Sequence, residues 1–374
     1  MAKKILLISP AHPLRGGIAA SSERLAQAFL DEGHEVEILS FSLQYPDFLF
    51  PGTSQFTDEP PPKNLTISTK LNTVNPLNWL AVGLAYRKRQ FDLVVCRFWL
   101  PVMSPCLGTF LRFLPAQTPI VTIADNIMPH EKRIGDKLFI RYFLSACNIV
   151  VAMSKAVLAD ATIFAPTKQH FYHPHPIYDT YGEVLTRQEA LQTLNLSPDF
   201  QYLLFFGFIR AYKGLDLLLE ALADARLKNK PIKLIIAGEF YENQEKYEAI
   251  VARHQLEEKI IRATHFIPSS EVTLYFSAAD LIVQPYHHAT QSGVSQVAYH
   301  FEKPIIVTNV GGLSEVIPDG KVGYVVEVKP IAIADAILDF FENQRSQVFI
   351  ANIRAEKPRF QWKSMVELLL GFCK

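Results

Sequence analysis

Short runs of apolar residues alternate along the chain with longer stretches in which apolar positions recur every three or four residues. The first run, residues 4–9 (KILLIS), predicts a buried strand. A loop holding Arg15, Gly16 and Gly17 follows, then a helix over 19–33 whose Leu25, Ala26, Phe29 and Leu30 share one face. Gly33 suits the C-terminal cap of that helix. Residues 34–41 (HEVEILSF) predict the next strand. Strand, loop, helix, strand is a βαβ unit and implies a parallel sheet. Residues 91–96 (FDLVVC), 119–123 (PIVTI) and 148–152 (NIVVA) read as further buried strands, with a helix over 79–88 before the first of them. Residues 43–75 are rich in Pro and Thr, weakly patterned, and carry the loop marker Pro60-Pro61-Pro62.

The texture changes near Tyr172, where His173-Pro174-His175-Pro176 reads as a non-helical connection. A polar helix over 186–194 follows, and then a second alternation begins. Its strands are expected at 202–206, 233–237, 265–267, 281–284, 304–308 and 323–326, with helices over 214–225 and 242–255 among those between them. A terminal helix is expected over 364–372. Two α/β domains, 1–180 and 181–355, with a terminal segment 356–374, fit this pattern better than one continuous sheet. Ligands in such folds lie beyond the C-terminal ends of the strands, so a cleft between domains is the expected site.

Charge narrows the function classes. The 374 residues hold 37 Lys and Arg against 37 Asp and Glu. A strongly basic nucleic-acid binder is therefore not the default reading, although a local basic patch stays open. Cys96, Cys106, Cys147 and Cys373 are scattered without a Cys-x-x-Cys, which suits buried thiols in a reducing compartment. The apolar run at Ile5–Ile8 is too short for a signal peptide, and no stretch is long enough to span a bilayer, so a cytoplasmic location is expected. The histidines lack metal-ligand spacing, no Asp-x-Asp or Gly-x-Ser-x-Gly occurs, and no metal is called for.

The chemistry-bearing segments all follow strands. Gly207, Arg210, Lys213 and Gly214 stand between the strand at 202–206 and a helix. Helix amides and two cations suit a pyrophosphate, while the alternative is a tight turn with solvated cations. Gly16 and Gly17 hold the matching place in the first half, either admitting a phosphate or sugar or simply making a turn; no dinucleotide fingerprint or P-loop is present. The loop with Thr290, Gln291, Ser292, Gly293 and Val294 offers uncharged hydrogen bonds and amides, and Thr290 or Ser292 also suits a helix cap. Gly311 and Gly312 allow close approach after the strand at 304–308, and are a better contact than Glu315. In the first half, Asp125 at a strand end and His130 in the following loop are candidates for proton transfer or hydroxyl binding.

Taken in order, these segments resemble the retaining, nucleotide-sugar-dependent glycosyltransferases of family 4, which have the GT-B fold of two Rossmann-like α/β domains facing across a cleft. The resemblance covers essentially the whole chain. It implies that Arg210 and Lys213, framed by Gly207 and Gly214, hold the donor diphosphate. The 290–294 loop and Gly311-Gly312 would face the donor, Gly16-Gly17 would close over its phosphates and the acceptor, and the terminal helix would cross back to the first domain. Two departures stand out. The family's paired glutamates fall at Ala289 and Val297 here, within a Gln-Ser-Gly-Val variant, so that Gln291 or Gln296 can supply hydrogen bonds but not charge. The family's His-Asp at the end of the PIVTI strand is Ala124-Asp125, with His130 farther along.

The activity implied is transfer of a hexose from a nucleoside diphosphate sugar, UDP or GDP, to a saccharide or lipid-linked hydroxyl, as in cell-surface polysaccharide or glycolipid synthesis. No cofactor is required. The alternatives are a nucleotide-sugar-binding protein that has lost transfer, and a sugar-nucleotide epimerase. Residues 135–147 (GDKLFIRYFLSAC) read either as an amphipathic helix resting on an anionic membrane or as a sheet-packing helix with a solvated basic edge.

Overall fold

The computed structural model describes residues 1–45, 54–129, 133–289 and 292–373. The chain divides into two compact units, Met1–Pro176 with Gln361–Lys374, and Ile177–Phe360.

The first unit is built on seven parallel strands, β1 (Lys4–Ile8), β2 (Glu35–Leu43), β3 (Thr66–Asn72), β4 (Leu93–Phe98), β5 (Ile120–Ala124), β6 (Ile149–Ala152) and β7 (Gln169–Tyr172). Their order is β3-β2-β1-β4-β5-β6-β7, with β1 paired in parallel to both β2 and β4. Helices α1 (Gly17–Asp31), α2 (Pro76–Arg87), α3 (Ser104–Leu111), α4 (Asp136–Ser145) and α5 (Lys155–Phe164) connect the strands. Parallel strands buried on both faces need a layer of helices on each side. One core cluster joins Val82 and Tyr86 of α2, Leu107 and Phe110 of α3, and Ile140 and Phe143 of α4 to one face of this sheet. The other face packs on Leu25, Ala26 and Phe29 of α1.

The second unit repeats the plan with six parallel strands, β8 (Gln201–Phe206), β9 (Ile232–Ala237), β10 (Ile260–Ala263), β11 (Leu281–Gln284), β12 (Ile305–Thr308) and β13 (Gly323–Val326), ordered β10-β9-β8-β11-β12-β13. Its helices are α6 (Arg187–Thr193), α7 (Leu215–Leu222), α8 (Ala225–Lys228), α9 (Glu245–His254), α10 (Ser269–Ala278), α11 (Gly293–His300), α12 (Leu313–Val316), α13 (Pro330–Glu342) and α14 (Ser346–Glu356). Thr186 and Glu189 close a reciprocal capping box on α6. The last helix, α15 (Trp362–Leu370), belongs to the first unit, where Trp362, Met365, Val366 and Leu369 join the α1 side of the core. Each sheet reverses its strand order once, between β1 and β4 and between β8 and β11. Those switch points are where open α/β sheets bind ligands.

Three strands depart from the sequence expectation. The strand expected at 265–267 is instead Ile260–Ala263, entered directly from a tight turn at Glu257–Lys259. Thr66–Asn72 is a strand inside the weakly patterned 43–75 stretch, and Gln169–Tyr172 is a strand to which the sequence pattern assigns no element. All three lie at sheet edges. An edge strand has half its surroundings in solvent, so its sequence lacks the continuous apolar run that marks a central one.

Candidate functional site

The second unit's switch point is built from the loops that leave β8 and β11. Gly207 follows β8 at φ +93°, and its N–H donates to Ala237 O across the sheet (2.8 Å). The chain then makes a tight turn over Ala211–Lys213 and reaches Gly214 at φ +67°, immediately before α7. A Cβ at Gly214 would lie 1.9 Å from Pro285 O, so only glycine lets this loop press against the segment that follows β11. His287 N–H donates to Tyr212 O (2.7 Å) and ties the two loops together.

This packing buries Lys213. Its side chain lies beneath the loop, with Nζ 3.0 Å from where a Gly207 Cβ would stand and 5.9 Å from the Tyr286 ring centre. Arg210 sits over the Tyr241 ring at 5.1 Å. Among the described residues neither cation has a carboxylate within ion-pair distance. Burial, reinforced by the neighbouring Arg210 charge, lowers the Lys213 ammonium from its ordinary 10.5 to about 7. Two neighbouring cations with no carboxylate partner among the described residues would attract an anion.

The β11 side is held by uncharged hydrogen bonds. Gln284, at the end of β11, donates through Nε2 to Ser292 Oγ (2.8 Å) and accepts from Ser295 Oγ at Oε1 (2.7 Å). Ser292 Oγ also accepts from Val294 N–H (3.3 Å), which makes Ser292 the N-cap of α11. Thr308 Oγ1 donates to Tyr286 O (2.6 Å). Gly293 lies against Tyr178, and a Cβ there would meet that ring at 2.9 Å. Val294 comes within 3.9 Å of a Cβ position on Gly207. Gln296 is fully buried on α11, and its Oε1 has no hydrogen-bond partner among the described residues.

In the first unit the loop after β1 enters α1 through Gly16, at φ +118° with open space around its Cβ position, and Gly17 begins the helix. Asp125 follows β5 and is buried. Its carboxylate takes a bidentate ion pair from Arg97 of β4, with Nε at 2.8 Å from Oδ2 and Nη2 on Oδ1. Arg97 Nη1 also donates to Ser21 Oγ of α1 (3.0 Å). Nearby, burial pushes the His175 imidazole down to about 4. Among the described residues no group of three or more His, Cys, Asp or Glu is placed to hold a metal.

Comparison with known proteins bears on the fold and the family relationship. Residues 186–356 match the family model described as Glycosyl transferases group 1, and residues 15–166 match Glycosyltransferase Family 4. A D-inositol 3-phosphate glycosyltransferase of Pseudarthrobacter chlorophenolicus is 29% identical over 189 residues, 49% of this chain and 45% of that protein. The chain thus spans under half of that relative's length. The Corynebacterium urealyticum protein of the same name is 25% identical over 301 residues, 75% of this chain and 70% of that one. Sucrose-phosphate synthase from Thermosynechococcus elongatus superposes with a TM-score of 0.77 at 16% identity, covering 98% of this chain and 97% of that one. Anabaena HepE in complex with UDP gives 0.73 at 17% identity, with 99% of each chain covered. The chain is a GT-B protein related to the glycosyltransferases.

Within this GT-B chain, the structure brings Gly207, Lys213, Gly214 and Val294 together, with Arg210 on the same loop and Ser292 and Gly293 at the head of α11. Gly311 and Gly312 follow β12, the neighbour of β11, with Gly311 at φ +49°. His130, Thr290 and Gln291 lie outside the described residues. Ala289 and Val297, at the family's glutamate positions, are both buried. The sequence reading missed Arg97, Gln284 and Tyr286. A signal was available for Gln284, a lone polar residue closing the apolar run LIVQ eight positions before Ser292.

Proposed function

We propose that this GT-B chain moves a hexose from a nucleoside diphosphate sugar, with UDP or GDP as the nucleotide, to a hydroxyl acceptor with retention at the anomeric carbon. The observation that carries this reading is the Arg210–Lys213 pair, two adjacent cations without a carboxylate partner among the described residues. In the step proposed, the bond from the anomeric carbon to the diphosphate oxygen breaks and its electron pair stays on that oxygen. The acceptor oxygen bonds to the same carbon on the same face, and its proton passes to the departing phosphate. Negative charge grows on the diphosphate as the bond breaks, so the two cations stabilise the transition state more than the bound donor. The reading assigns charge neutralisation to Arg210 and Lys213 and gives no step to a metal. Amides and hydroxyls of Ser292, Gly293 and Val294, with Thr290 and Gln291, serve the donor, as do Gly207, Gly214, Gly311 and Gly312. Gly16, Gly17, Asp125 and His130 serve the phosphates and acceptor.

A second reading, nucleotide-sugar binding without transfer, is favoured by Ala289 and Val297 in place of two carboxylates. A sugar-transfer assay against a panel of acceptors separates the two. The transferase reading expects product, and expects Arg210→Ala and Lys213→Ala each to lose on the order of 10²-fold in rate or more. Near-wild-type rates in both variants would overturn the role given to the cations. Nucleotide binding without product from any acceptor would select the second reading.

A further inference from the structure

Apart from Asn78 and the closing Arg87, helix α2 is apolar around its circumference, yet much of it is uncovered. Its inner face, Val82, Gly83 and Tyr86, is buried in the first unit's core. Its outer face carries Leu77, Leu80 and Leu84, with Ala81 and Ala85 between them and Val74 just before the helix. Leu77 is 76% and Leu84 56% exposed. A helix apolar all round is expected to be covered on all sides.

The neighbouring helices extend this surface. Helices α2, α3 and α4 pack side by side, and their inner faces fill one core cluster on one side of the sheet. Their outer faces therefore point the same way. Contact is close: a Cβ on Gly83 would strike Phe113, and one on Gly108 would strike Tyr142. On and just before α4, Ile134, Leu138 and Tyr142 recur every fourth residue and are exposed, Leu138 by 69%. Beside them Arg133, Lys137 and Arg141 recur at the same spacing and are exposed as well. Apolar and basic stripes thus run in parallel along one helix edge.

The charge is as uneven as the polarity. Between Lys63 and Asn148 the sequence holds eleven Lys and Arg against four Asp and Glu, in a chain whose total is zero. Of those four acids, Asp125 and Asp136 are buried, and Asp92 pairs with Lys3. Arg87 and Lys88 close α2 and are exposed. Arg112 lies on the Tyr142 ring (4.1 Å), holding that aromatic at the rim of the layer.

We infer that the outer face of α2 and α4 docks on a bilayer leaflet that contains anionic lipid. The apolar stripes suit the acyl boundary. The basic side chains around them reach the headgroups while their stems cover apolar surface. A second copy of the chain is a poorer occupant, because an isologous contact would set this basic surface against itself. Among the described residues no helix is long and apolar enough to cross a membrane, so the contact is a surface one. Docking here does not rest on the transferase reading and is tested without it.

The experiment is flotation of the full chain with phosphatidylglycerol-containing vesicles and with pure phosphatidylcholine vesicles. Binding is expected to the first and to fall on the order of tenfold or more on the second, given about 1 kcal/mol per basic residue near the surface. Leu77→Asp with Leu84→Asp, and separately Arg87→Glu with Lys88→Glu, should each lower binding to anionic vesicles on the order of a hundredfold or more. All four positions are exposed, and unchanged melting temperatures would verify that the variants fold. The proposal is overturned if the wild-type chain ignores both vesicles, or if binding is indifferent to the substitutions. It is equally overturned if sedimentation shows a dimer that the leucine substitutions dissolve while vesicles go unbound. Nucleotide binding by the same variants should stay unchanged, which keeps this outcome separate from the donor site.

Discussion

Arg97 and Lys213 are both buried cations, one in each unit, and the structure treats them in opposite ways. Arg97 is enclosed by partners: a bidentate carboxylate from Asp125 and the Ser21 hydroxyl. Lys213 has another cation for its neighbour and an aromatic ring beneath it. A buried charge that serves the fold is paired, because an isolated one is too costly to keep. A buried amine with no carboxylate partner among the described residues either gives up its proton or is met by an anion that binds. The contrast makes Asp125 a partner of Arg97 first, and leaves Lys213 as the group whose presence the fold alone does not account for.

The largest effect expected from this contrast is on stability. Asp125→Ala takes the carboxylate away from the buried Arg97 and should remove about 3–5 kcal/mol from the unfolding free energy in urea. Replacing both partners together, Arg97→Met with Asp125→Leu, should recover most of that loss. If Asp125→Ala unfolds at the wild-type urea concentration, Arg97 does not depend on its pair and the contrast fails.

The next effect is on pH. Folded Lys213 gives up its proton near pH 7, whereas the unfolded chain holds it to about 10.5. Between those values the unfolded state binds more protons, so this residue makes the fold less stable as pH falls through that window. A bound diphosphate would restore the charged form. Nucleotide binding should therefore weaken as pH rises above about 7 and should take up about one proton near pH 8–9. Calorimetry in buffers of different ionisation enthalpy measures that uptake, and none would mean that Lys213 does not face the anion.

The smallest effect concerns the loop opposite the cations. Gln284→Ala removes the partner of both Ser292 and Ser295 and should weaken nucleotide binding by about tenfold, near 1.4 kcal/mol. Unchanged affinity would show that α11 keeps its entry without this network.

What the sequence revealed follows from where each residue lies. Central strands such as KILLI, LVVCRF and LIVQ are buried on both faces and read plainly as apolar runs. The edge strands TISTKLN, QHFY and IIRA are half solvated and did not. Gly207, Lys213 and Gly214 could be singled out because positive φ and close approach restrict residue choice locally. Arg97–Asp125 could not, because the pair spans 28 residues and joins neighbouring strands β4 and β5. The Gln284 network joins residues 8 and 11 positions apart, yet a hydroxyl and an amide at that distance carry no periodic signal. The uncovered face of α2 was hidden for the opposite reason: its apolar residues look like core until the structure shows them outside.

The most direct test of the unpaired cation is to titrate UDP and GDP into the wild-type chain and into Lys213→Met while following urea unfolding of both. Methionine keeps the apolar bulk and removes the buried charge. The account predicts that stability at neutral pH holds or rises, while affinity for the nucleotide that binds falls on the order of 10²-fold. A variant that binds the nucleotide as the wild type does, or one whose stability and affinity fall together, would contradict it.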